Sequence, residues 1–110
     1  MSKFSIGQKV TWNSGGAGHS KQKTGTIIAI VPANVDPFRM DGKDYIIPGG
    51  RRIPYSRTRY GGGIPRYHVS YIVEVENPKG PHLATTYYWP LVSALRAVDG
   101  LEEDGMGGEG

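Results

Sequence analysis

The sequence predicts an all-β protein of five short strands arranged around one long irregular connection. Three observations carry this. Residues 8–13 and 68–76 alternate apolar with polar side chains, the period of a half-buried strand. Residues 24–31 (TGTIIAIV) are apolar on both faces and β-branched, as expected of the most central strand of a small sheet. No segment holds the helical period for longer than a turn.

The elements follow in order. In residues 8–13, Val10 and Trp12 share one face and Lys9 and Thr11 the other, with Gly7 before and Asn13-Ser14-Gly15-Gly16 after as turn chemistry. The loop 14–23 has glycines but is no phosphate loop. A P-loop needs Lys-Ser/Thr after its last glycine at the start of a helix, whereas Gly18 is followed by His19-Ser20-Lys21 and a strand. Pro32 ends the second strand. Residues 33–66 form a long insertion containing Pro37, Pro48, Pro54 and Pro65. Within it Asp41-Gly42 predicts a turn that returns Tyr45-Ile46-Ile47 onto Phe38-Arg39-Met40, and the rest shows no period. Such connections are usually functional or disordered.

In residues 68–76, Val69, Tyr71, Val73 and Val75 face one way, Ser70, Glu74 and Glu76 the other, and Ile72 is the exception. Residues 77–81 read as a turn and 82–89 as a strand stopped by Pro90. Residues 91–94 suit one 3₁₀ turn and 95–98 a last short strand. The expected organisation is one domain over 1–100, with 33–66 as an inserted loop and 101–110 as a flexible acidic tail. Five strands with a 3₁₀ turn before the fifth match a small SH3-like (Tudor- or KOW-like) barrel, which removes its edges by closing. An OB-type barrel is the alternative, but it normally includes a helix.

Short pieces of the chain also resemble a family. Phe4, Gly7, Val10, Trp12, Asn13, Gly18 and Gly25-Thr26-Ile27-Ile28 resemble the opening of the bacterial hypervirulence-associated Tudor-domain proteins. Ser93-Ala94-Leu95-Arg96 is similar to that family's close, and Tyr71-Ile72-Val73 fits its third strand. The resemblance implies a small SH3-like barrel and little about chemistry. The insertion 33–66 and the aromatic run Tyr87-Tyr88-Trp89 depart from it. Residues 25–30 also resemble the strand of KOW-type domains.

Composition narrows the function. Residues 1–100 carry all 13 Lys and Arg against six acids, or +7, and the last ten residues carry four acids, or −4. A basic body favours polyanionic partners. With no cysteine there is neither a disulfide framework nor a cysteine zinc site. The absence of a long apolar run or a signal-peptide core predicts a cytoplasmic protein that does not enter membranes. No nucleophile, acid–base pair or cofactor motif stands out, so a non-enzymatic module without cofactor is expected. His19, His68 and His82 have no spacing that fixes a zinc site, and Asp36, Asp41 and Asp44 lack the density of a calcium loop.

The candidate working surface is 49–67, with five arginines, three tyrosines and no acid. Arg51, Arg52, Arg57, Arg59 and Arg66 offer planar forks for phosphate, and Tyr55 and Tyr60 offer faces on which unpaired bases stack. Trp12, Tyr88 and Trp89 are candidates for an aromatic surface, of the kind that cages a methylated cation or stacks a base. DNA or RNA binding is therefore the first reading. The alternatives are a protein-docking or assembly module of a bacterial or phage protein, burying Ile53, Ile64 and the tyrosines, and an anionic small-ligand pocket shared across an oligomer. A plain solvated loop is the simplest account of the same residues.

Overall fold

A computed structural model describes residues 3–14, 21–59, 64–76 and 85–98. The chain is all-β. In order it forms β1 (Lys9–Ser14), β2 (Lys21–Val31), β3 (Arg39–Asp41), β4 (Asp44–Ile46), β5 (Arg52–Pro54), a 3₁₀ turn η1 (Tyr55–Arg57), β6 (Thr58–Arg59), β7 (Ser70–Val75), β8 (Thr86–Tyr88), a second 3₁₀ turn η2 (Val92–Ala94) and β9 (Arg96–Ala97). The five expected strands are β1, β2, β7, β8 and β9, and η2 falls before the last as expected. They lie in one six-stranded sheet, β6-β8-β7-β2-β1-β9, with β2 central. The sheet does not close into a barrel: β6 and β9 remain its two edges. No described helix is long and apolar enough to cross a membrane.

The expectation of an irregular insertion is corrected. Within it, Arg39–Asp41, Asp44–Ile46 and Arg52–Pro54 form a second sheet, β3-β4-β5, and Thr58–Arg59 supplies β6 to the first. The expected hairpin is present, with Met40 opposite Tyr45 across the Gly42 turn. β5 then pairs with β4, setting Ile53 opposite Tyr45. These strands are three residues long, too short for a period to show, and packing makes them. Phe38, Tyr45, Ile47 and Ile53 join Ala29, Val31, Ile72, Tyr87 and Trp89 in one buried cluster. The neck of the insertion is fastened where the Asn34 N–H donates to the Arg66 carbonyl at 2.6 Å.

The other face of the large sheet holds a second cluster of Phe4, Val10, Trp12, Ile27, Tyr71, Val73 and Leu95. The N-terminal segment closes its end: Lys3 and Phe4 donate their backbone N–H groups to the Tyr71 hydroxyl at 2.7 and 3.2 Å. The sheet is thus covered on both sides, which accounts for a β2 that is apolar on both faces. It also accounts for Ile72, which points into the cluster under the insertion while Tyr71 and Val73 point into the other. A bulge in β2 between Ile27 and Ala29 lets adjacent residues serve one side. Ile27 belongs to the second cluster, whereas Ile28 and Ala29 both pack in the first.

Candidate nucleic-acid interface

The surface begins at β5–η1–β6. Pro54, with φ of −65°, caps η1 and fixes the chain's exit from β5. The Tyr55 N–H donates to the Lys43 carbonyl at 3.0 Å, and the Thr58 hydroxyl to the Pro54 carbonyl at 2.8 Å, so both ends of the turn are held. Tyr55 is 53% exposed, yet its ring is seated edge-on against buried Tyr45, centroids 5.5 Å apart. Tyr55, Ser56, Thr58 and Arg59 line an open cleft of about 420 Å³. The Arg59 guanidinium donates to the Ser56 carbonyl at 3.2 Å, and Arg57 is exposed on the last residue of η1. Neither makes an ion pair among the described residues.

The remaining arginines are used inside the molecule. Arg51 pairs with Glu74 at 2.7 Å and lies 6.0 Å from the Tyr87 ring centroid. Arg52 pairs with Asp41 and, at 3.8 Å, with Asp44. Arg66 lies over Trp89, 4.0 Å from the ring centroid, and donates to the Trp89 and Pro90 carbonyls at 2.8 and 2.7 Å. Burial pushes the Arg66 guanidinium below its usual pKa. Burial first, then the Glu74 charge, pushes the Tyr87 phenol up, with Arg51 acting in the opposite direction. The stretch therefore does not converge on one partner. Tyr60 lies outside the described residues, and Tyr67 is 89% exposed.

The aromatic surface needs correction. Trp12 and Trp89 are core residues, 3% and 5% exposed. Trp12 lies in the second cluster, on the face away from the insertion, and Trp89 is covered by the folded insertion, where its indole N–H donates to Ser70 Oγ at 2.8 Å. Tyr88 alone of the three is half-buried, edge-on to Trp12 at 5.7 Å. Parallel pairing makes Arg59 the register partner of Tyr88, so both leave the sheet on the same face. Lys23 also belongs to this surface, its ammonium 5.4 Å from the Tyr88 centroid. Sequence reading missed Lys23, although its place one strand from Trp12 was its signal: the two are register partners. Arg59 thus lines the Tyr55 cleft and is also the register partner of Tyr88.

Among the described residues no group of three or more His, Cys, Asp or Glu could hold a metal ion, and His19 and His82 lie outside them. No protein-family model, curated protein or solved structure matches the chain.

Proposed function

We propose that the protein is a non-enzymatic module that binds single-stranded nucleic acid along β6, with Arg57, Arg59 and Lys23 on phosphates and Tyr55 and Tyr88 against bases. The observation that carries this reading is Arg57 and Arg59, without ion-pair partners among the described residues, beside the exposed, seated Tyr55 ring. A ring held from behind loses little freedom when a base stacks on it. None of the described elements is an α-helix suited to a major groove. The order β8-β7-β2-β1-β9, with η2 before β9, supports an SH3-like plan left open at its edges.

Protein docking draws its support from the apolar content of the insertion. Ile47 and Ile53 lie in the core, which lowers that reading. Ile64 and Tyr67, 81% and 89% exposed, are what still favours it.

The deciding experiment is a fluorescence-anisotropy titration of single-stranded and duplex oligonucleotides at low and moderate salt. The Arg57→Ala/Arg59→Ala variant is expected to bind more weakly and to flatten the log K against log salt slope by about 1.4, at roughly 0.7 for each phosphate no longer neutralised. Arg52→Ala, which removes a cation already paired with acids, is expected to change the slope little. Absence of binding at low salt, or equal weakening in both variants, rules the assignment out.

A further inference from the structure

Among the described residues β3 is an edge of the small sheet, paired only with β4. The opposite edge, β5, ends in Pro54 and turns into η1, which blunts it. β3 has no such protection. Arg39, Met40 and Asp41 are all exposed, with neither proline nor bulge.

Ladder geometry shows which backbone groups are open. Gly42 and Lys43 join Asp41 to Asp44 as a two-residue turn, and the Gly42 φ of +65° suits the first position of a type II′ turn. The pair closing such a turn exchanges both hydrogen bonds, so the next pair, Met40 with Tyr45, exchanges none. The Met40 N–H and C=O therefore point away from β4. Two residues earlier the Phe38 N–H has the same outward sense and is capped by Asp36 Oδ1 at 3.0 Å. The open edge is centred on Met40.

The side chains make that edge complementary to itself. A second β3, antiparallel about a two-fold axis at Met40, sets Met40 against Met40 and Arg39 against Asp41 of the second copy, and the reverse. The register partners Arg39, Ile46 and Arg52 form one row of the outer face, and Asp41 and Asp44 the next. Joining two copies runs the cationic row of each into the acidic row of the other. Met40, 53% exposed, meets its counterpart on the opposite face. An isologous contact requires this reciprocity, and Arg-Met-Asp supplies it.

We propose that the chain self-associates through β3, forming a continuous six-stranded antiparallel sheet from two three-stranded ones. The partner is a second copy of this chain. The inference stands apart from the nucleic-acid reading.

Sedimentation velocity of the full chain, from about 10 μM to about 1 mM, tests it. A reversible monomer–dimer equilibrium is expected. Arg39→Asp and Asp41→Arg each set like charges opposite one another and are expected to weaken the dimer by about tenfold or more. The double variant restores opposite signs and is expected to return to within about threefold of the original. Met40→Pro removes the outward N–H and leaves the β3–β4 ladder its bonds; it should abolish the dimer while a thermal melt shows the fold retained. A chain that stays monomeric throughout, a dimer indifferent to Met40→Pro, or single variants that weaken it without rescue by the double would each overturn the proposal.

Discussion

Arg66 lies over Trp89 and forks to two carbonyls, whereas Arg57, nine residues earlier, makes no ion pair among the described residues. Their chemistry is the same and their roles differ. Arg66→Lys keeps the charge but cannot both stack and reach two acceptors, so a loss of about 2 kcal/mol in urea unfolding is expected, with Arg57→Ala close to neutral. Tyr87 gives a pH dependence of known sign. Its folded pKa is raised above the ordinary 10.0 by burial and by Glu74. The folded state thus holds the phenolic proton more tightly than the unfolded chain. That contribution is complete below about pH 10 and is lost as pH rises through the raised value. Urea midpoints measured from about pH 8 to about pH 11 are expected to fall less steeply for Tyr87→Phe than for the parent. The sequence showed which residues could bind phosphate. It did not show which were already engaged, because the partners are distant along the chain: Glu74 lies 23 residues from Arg51, and Pro90 24 from Arg66.

At the scale of elements, β2 is shaped by where β7 crosses it. A Cβ on Gly25 would lie 2.5 Å from the Glu74 carbonyl oxygen and 2.7 Å from Val73 Cγ1. One obstacle is backbone, so β7 must shift, and Gly25→Ala is expected to cost about 1–3 kcal/mol by chemical denaturation. The long strands were legible because each repeats its period several times. β5 and β6 were not, since two or three residues flanked by proline and glycine carry no period, and β6 exists only through its pairing with β8. The clue to the missing layer was present in Ile72. An apolar residue on the supposedly wet face of β7, beside a β2 apolar on both sides, means that something covers that face. Reading Trp89 as a surface ring followed from leaving the cover out.

For the whole molecule the issue is whether the insertion decorates a finished fold or completes it. Asn34 and Arg66 are hydrogen-bonded neighbours at its neck, so a short Gly-Ser bridge could replace the intervening residues without straining the remainder. If the insertion were decoration, such a deletion would be tolerated, as long surface loops often are. The packing argues otherwise. Removing it strips Phe38, Tyr45, Ile47 and Ile53 from the cluster and bares Ala29, Val31, Ile72, Tyr87 and Trp89. At roughly 1.5–3 kcal/mol for each buried apolar side chain, the four deleted residues alone account for about 6–12 kcal/mol. That is the size of a small domain's entire stability, about 5–15 kcal/mol. The bridged chain is therefore expected to lose its cooperative urea transition and to bind a hydrophobic dye strongly, while Arg57→Ala/Arg59→Ala in the full chain does neither. A bridged chain that unfolds cooperatively near the parent's midpoint would show that the large sheet stands alone. The apolar face of β2 and β7 would then need another explanation than the layer folded over it.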